Sequence, residues 1–311
     1  MTRSDLTFDS QGVACAAWHY PGVGPAFAGP SGCPCVVMAH GFGATRDTGL
    51  EGFAERLAAA GLDVLAFDYR GFGASAGEPR QVADVVAQLA DYRAAVATAR
   101  GLAGVDPDRI VVWGVSFAGG HVFEIAAADP RIAATIALTP LTDGVAAALA
   151  ILRREGVAGA LRTTVAGLRD VVGSAVGKPP STVPLAGAPG TLSALTAPGA
   201  YDGYTAIAGP TWRNEVAARA FLRLPTYRPG RAARRITGPL LVQIADLDQS
   251  APPAPALAAA GRAERSEVRH YPCDHFDIYP GRPWHEAAVA HQLAFLQRHL
   301  AVRPAAASTA P

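Results

Sequence analysis

Short apolar runs that end in glycine or a turn recur along this chain, and they restrict its fold more than any other feature. They are "CVVMAH" (residues 35–40), "LDVLAFDYRG" (62–71), "DPDRIVVWGVS" (106–116), "IAATIALTP" (132–140), "GPLLVQIAD" (238–246) and "SEVRHYP" (266–272). A strand with one wet face alternates apolar and polar residues, whereas most of these runs stay apolar throughout, as strands buried on both faces do. Helical spacing separates them. "GFAERLAAAG" (52–61) is a helix stopped by glycine, "QVADVVAQLADYRAAVATAR" (81–100) has apolar residues at helical intervals, and 286–300 forms a closing amphipathic helix. Residues 6–20 add one or two strands before a Pro/Gly-rich loop at 21–34. Strands alternating with helices define an α/β protein whose mostly parallel, doubly wound sheet is covered on both faces.

The alternation breaks between residues 144 and 237. That segment holds helical pieces at 145–155 and 158–172, then "KPPSTVPLAGAPGTLSALTAPGAYDGY", then a helix-like piece at 214–222. Leu, Ile, Tyr and Trp recur through it, so it reads as a folded insertion rather than a linker. An open α/β sheet binds its ligands at the carboxyl edge, and an insertion folded over that edge would form a helical cap. The expected organisation is a core of residues 1–143 and 238–303, a cap or lid at 144–237, and a flexible tail at 304–311.

Composition narrows the class of partner. The chain has 311 residues, half of them hydrophobic and 17% charged, with a formal net charge of +1. Arginine supplies nearly all the positive charge, because Lys178 is the sole lysine. With no basic run interleaved with aromatics, a nucleic-acid partner is not expected. Heavy Ala, Arg and Gly use suggests a GC-rich bacterial genome. The first twenty residues lack an apolar signal-peptide core, and the uncharged stretch 179–201 is too broken by Pro and Gly to span a membrane. Cys33 and Cys35 in "CPC" lack a second zinc-type pair and sit too close for an ordinary disulfide. With Cys15 and Cys273 they read as reduced structural thiols of a cytoplasmic protein. The oligomeric state is not fixed by the sequence, and a homodimer is compatible with it.

The string "IVVWGVSFAGGH" (110–121) places one hydroxyl, Ser116, between a buried strand and an Ala/Gly-rich segment. Two roles suit it. A serine at such a junction caps the following helix, or it is a nucleophile held on a tight turn.

"GVSFAG" (114–119) resembles the G-x-S-x-G nucleophile elbow of the α/β-hydrolase superfamily, with Ala118 in place of the second glycine. "HGFG" (40–43) resembles that family's oxyanion loop, and "DYRGFGAS" (68–75) the turn after its next strand. The resemblance spans residues 6–300 apart from the insertion and is nearest to serine esterases of the dienelactone-hydrolase and X-Pro-peptidase-like branches. It implies an α/β-hydrolase fold with Ser116 as nucleophile and His275, in "YPCDHFDIYPG", as base. The acid is Asp248 in "ADLDQ", with Asp246 and Asp143 as the other candidates; Ser…Asp…His is the family's chain order. A tetrahedral transition state carries negative charge on the former carbonyl oxygen, so it needs fixed N–H donors. Those of Phe42 and Phe117 are the candidates. His40, Asp68 and Arg70 read as braces of loops, and His270 lies within a strand.

This resemblance implies attack on a small-molecule acyl ester or thioester, an acyl-serine intermediate and hydrolysis by water, with no metal or organic cofactor. Family members that use an aspartate nucleophile are argued against by Ser116. The same triad would serve a small-amide exopeptidase or a biosynthetic acyltransferase or cyclase. From another class, a non-catalytic ligand receptor on the same fold is the remaining alternative. Tyr201, Tyr204, Trp212 and Tyr227 either line an apolar acyl pocket or form the cap's own small core.

Overall fold

A computed structural model describes residues 3–301, so the tail expected at 304–311 lies outside the described residues. In chain order the elements are β1 (Ser4–Ser10), β2 (Val13–Tyr20), β3 (Cys33–Ala39), α1 (Leu50–Ala59), β4 (Asp63–Phe67), α2 (Val85–Arg100), β5 (Val105–Val115), α3 (Phe117–Ala128) and β6 (Ile132–Leu138). Then come α4 (Gly144–Ala175), β7 (Thr182–Val183), α5 (Ala200–Ile207), β8 (Val216–Ala217), α6 (Ala220–Arg223), β9 (Leu240–Ala245), α7 (Pro253–Ala260), β10 (Ser266–Tyr271) and α8 (His285–Leu300). Eight strands form one sheet in the order β1-β2-β4-β3-β5-β6-β9-β10. The β1–β2 and β2–β4 pairings are antiparallel, and every pairing from β4 to β10 is parallel.

The continuous apolar runs have a direct structural cause. Successive strand residues point to opposite faces. Val36, Met38, Val111 and Trp113 therefore pack with Phe53 of α1 and Val289 and Phe295 of α8. Their neighbours Cys35, Val37, Ile110 and Val112 pack on the other face with Tyr92 of α2 and Val122 and Phe123 of α3. Both faces are dry, so no polar alternation survives. All four cysteines are unpaired, and burial raises each thiol above its ordinary range. They are packing residues.

Between β6 and β9 the structure differs from expectation in detail. The two helical pieces are successive limbs of α4, broken at Gly156, whose backbone adopts φ 68°. The helix-like piece expected at 214–222 is mostly not helical. Val216–Ala217 instead pairs antiparallel with β7, and only Ala220–Arg223 is α-helix. Long-range bonds override local propensity there. The Asn214 amide exchanges two hydrogen bonds with the backbone of Ala186, and the Ala217 N–H donates to Gln81 O. Arg219 then forks onto buried Asp170 of α4, at 2.7 and 2.9 Å. Helix α2 starts four residues later than its apolar spacing suggests, because Asp84 caps it by accepting from the N–H groups of Val86 and Ala87.

Candidate active site

Strand β5 runs into α3 through one residue, Ser116, whose φ of 58° is a left-handed value that a residue with a Cβ rarely adopts. Hydrogen bonds hold it there. Its N–H donates to Leu138 O at 2.9 Å, and its carbonyl accepts from Leu141 and Gly120. The turn closes only because its flanks are small. A Cβ at Gly114 would collide with the Ala118 carbonyl, and Ala118 is itself fully buried. Ser116 occupies the N-cap position of α3, yet its side chain makes no capping hydrogen bond. The capping role that the sequence allowed is therefore not the one its hydroxyl takes.

Strand β3 delivers "HGFG" against this turn. A Cβ at Gly41 would stand 3.1 Å from the Ser116 Cβ and 3.6 Å from its Oγ, so the backbone passes directly beside the hydroxyl. The rings of Phe42 and Phe117 meet edge to face at 5.4 Å. Neither the Phe42 nor the Phe117 backbone N–H donates a hydrogen bond among the described residues. His40 is a brace, since its Nδ1–H donates to Gly41 O and its Nε2 faces the Tyr69 N–H. Burial pushes it down to about 4, which keeps it neutral. Asp68 accepts from the Arg46 and Ala74 N–H groups and from the Arg46 guanidinium, and Arg70 grips Asp91 and Ser10. Both are loop braces, as expected.

The loops after β9 and β10 bring His275 and Asp248 together. His275 Nδ1 lies 2.6 Å from Asp248 Oδ2, and both side chains are buried. The other carboxylate oxygen accepts from the N–H groups of Ser250 and Ala251 at 2.8 and 2.7 Å, which fixes the acid before any proton moves. Asp248 accepts, so Nδ1 carries the proton and Nε2 keeps an unprotonated lone pair. Nε2 makes no hydrogen bond among the described residues. Burial alone would lower the imidazole's pKa. The charge and hydrogen bond of Asp248, with help from Asp274, outweigh it and hold the pKa above its ordinary 6.5.

The rival acids are engaged elsewhere. Asp143 caps α4 through the N–H groups of Val145 and Ala146 and pairs with Arg228. Asp246 pairs with His270 at the protein surface, 2.7 Å apart. His291 and His299 hydrogen-bond Tyr271 and Glu267 along α8. Sequence reasoning gave His121 no role. It is fully buried on α3, with Nδ1 2.7 Å from the Tyr227 hydroxyl, Nε2 3.1 Å from Gln88, and its ring against Phe117. Burial lowers it to about 3, so it is a neutral strut under the elbow. Its only sequence signal is its place five residues after Ser116 on an apolar helix.

Nor do Tyr201, Tyr204, Trp212 and Tyr227 act together. Tyr201 is exposed, and Tyr227 packs on Phe117 and His121. Tyr204 is buried, stacks on Trp212, meets Phe276 beside His275, and donates its hydroxyl to Phe42 O at 2.8 Å. It thereby touches the loops of both Phe42 and His275. A largely apolar cavity opens beside Phe42, lined also by Ile151 and Leu152 of α4, and by Ala220, Phe221 and Leu224. Among the described residues no group of three or more His, Cys, Asp or Glu is arranged to hold a metal.

A parallel sheet, a strained serine between strand and helix, and a buried Asp–His pair from the following loops together define a class, the α/β-hydrolases. Comparison with known proteins agrees. The family described as "Serine aminopeptidase, S33" matches residues 31–170. The chain is 42% identical over 307 residues to the quorum-quenching protein AidA of Acinetobacter baumannii (strain MDR-ZJ06), covering 96% of each chain. It is 38% identical over 120 residues to the thiohydrolase aneE of Aspergillus aculeatus, spanning 39% of this chain and 38% of that one. The crystal structure of the α/β hydrolase GrgF from Penicillium sp. sh18 superposes with a TM-score of 0.80 at 25% identity, covering 96% of this chain and 99% of that one. This chain belongs to the α/β-hydrolase superfamily and is a hydrolase acting on a small-molecule substrate.

Proposed function

We propose that this hydrolase cleaves a carboxylic ester or thioester through an acyl-serine on Ser116, with His275 as base, Asp248 as its orienting acid, and the N–H groups of Phe42 and Phe117 as the oxyanion hole. The observation that carries the reading is the buried His275–Asp248 pair, which leaves Nε2 unengaged while Ser116 is held uncapped on a strained turn. In the first half-reaction Nε2 takes the Ser116 proton as Oγ attacks the acyl carbon, and the two N–H groups take up the charge on the former carbonyl oxygen. Collapse expels the alcohol or thiol, which receives that proton from His275. Water then repeats the sequence on the acyl-enzyme and frees the acid. The imidazolium formed midway is stabilised by Asp248, whose carboxylate is already fixed by two N–H groups. No step calls for a cofactor.

In this reading residues 144–237 form the cap, and the acyl group occupies the cavity between Phe42 and α4. The aneE relative is named a thiohydrolase, and thioester hydrolysis is chemistry of the same class. Four unpaired, buried or half-buried thiols support a reducing, cytoplasmic setting. The test is a panel of p-nitrophenyl esters of graded chain length, acyl thioesters and aminoacyl amides. Turnover of esters and thioesters with a chain-length optimum supports the proposal; turnover confined to aminoacyl amides overturns it.

A further inference from the structure

The second limb of α4, beyond Gly156, carries an apolar face that nothing among the described residues covers. Val157, Leu161, Val165, Leu168, Val172 and Val176 are all exposed, Val157 by 80% and Val172 by 64%. At about 100° per residue these positions fall on one side of the helix, within roughly a third of its circumference. The opposite side, with Gly159, Gly167 and Asp170, is the buried one. A helix that is apolar toward solvent as well as toward its own protein is built to be covered.

Charge decides what covers it. Arg162 and Arg169, seven residues apart, lie along one edge of the stripe, and Lys178 follows the helix end; all three are exposed. None of them is in an ion pair among the described residues. The one acid from residue 157 to 178, Asp170, is buried and held by Arg219. A second copy packed antiparallel on this stripe would set arginine against arginine. Packed parallel, it would set arginine against the other edge, Thr164 and Val171, where no acid stands. Like charges across an interface are repulsive, and the arginines gain no partner in either arrangement. Anionic lipid headgroups answer both features, since acyl chains accept the valines and leucines while phosphates accept the arginines.

We propose that this limb of α4 is an interfacial helix that docks the protein on an anionic phospholipid surface. Among the described residues no helix is long and apolar enough to cross a membrane, so the contact is peripheral. Docking would also place the cavity near lipid, because Arg162 and Leu192 line both that cavity and the outer groove beside the stripe.

The experiment is flotation of the intact protein with vesicles of phosphatidylcholine alone and of phosphatidylcholine with an equal part of phosphatidylglycerol. The protein floats with the second and not the first, and salt releases it. Leu168→Glu with Val172→Glu abolishes flotation while hydrolysis of a soluble short-chain ester continues. Arg162→Gln with Arg169→Gln weakens binding about tenfold or more, and this pair carries the test if the first variant fails to fold. Wild type that ignores anionic vesicles overturns the proposal. So does a concentration-dependent dimer that the Leu168/Val172 variant dissolves, because a second copy would then be the occupant.

Discussion

Two Asp–His pairs stand on neighbouring turns of this protein and differ in almost nothing but their surroundings. Asp248–His275 and Asp246–His270 close to 2.6 and 2.7 Å, and the two acids are two residues apart after the same strand. The first pair's side chains are 3% and 2% exposed, His first, and the second's are 48% and 41%. The buried pair has its acid pinned by two backbone N–H groups and its imidazole pKa held up. The surface pair lies at the sheet's outer strand, where water screens it, and such a pair contributes little. Proximity of acid and base is therefore not what makes a catalytic pair. In the proposed function, burial and a carboxylate fixed by two N–H groups are what single out Asp248–His275.

Deletion separates the two pairs most sharply. His275→Ala lowers kcat on the order of 10⁴-fold or more, as does Ser116→Ala, because the two act as a unit. His270→Ala leaves kcat within about twofold, as surface changes do. Steady-state kinetics after circular dichroism confirms folding checks both, and a crippled His270→Ala would reverse the comparison. Next in size, Asp248→Asn lowers kcat by about 10³–10⁴-fold with KM little changed. Asp246→Asn and Asp143→Asn retain most activity, and Asp143→Asn keeps its cap but lowers the thermal midpoint slightly through its lost ion pair with Arg228.

A smaller effect tests the frame around the buried pair. Tyr204→Phe removes the hydroxyl that holds Phe42 O and lowers kcat about tenfold at nearly constant KM. That is less than the roughly 10²–10³-fold of losing an oxyanion donor outright. Loss in KM alone would make Tyr204 a pocket residue instead. The smallest effect is on pH. The raised pKa of His275 puts the rise of kcat/KM with pH above 6.5, the ordinary imidazole value. Stability moves the other way. The pair's contribution is fully present below the unfolded value and is lost as pH rises through the folded one. Thermal midpoints and kcat/KM measured over one pH series check both signs, and Asp248→Asn moves the kinetic ionisation downward.

The sheet was legible because its central strands must be apolar on both faces, and that burial writes itself into runs such as "VVWGV". The local geometry of Ser116 was legible for a related reason, since only small neighbours such as Gly114 fit the turn. The family resemblance brought His275 and Asp248 under consideration, but Asp246 follows the same strand and is equally an acid. What separates the two acids is mainly tertiary: the depth of the loop and the contact with His275, 27 residues away, add to the local N–H groups of Ser250 and Ala251. The segment between β6 and β9 was the least legible. Asn214 and Arg219 pull their neighbours out of helix through partners at Ala186 and Asp170, tens of residues away. His121 escaped for the same reason, and Tyr204 was named without its contact to Phe42, because each is defined by what it touches across the fold.

The most direct test of the central claim is the site of covalent capture. Folded wild-type protein is treated with a fluorophosphonate and digested, and the modified residue is located by mass spectrometry. The account predicts a single adduct on Ser116, lost in Ser116→Ala, strongly slowed in His275→Ala and unaffected in His270→Ala. An adduct on another residue, or none on an active preparation, would contradict it.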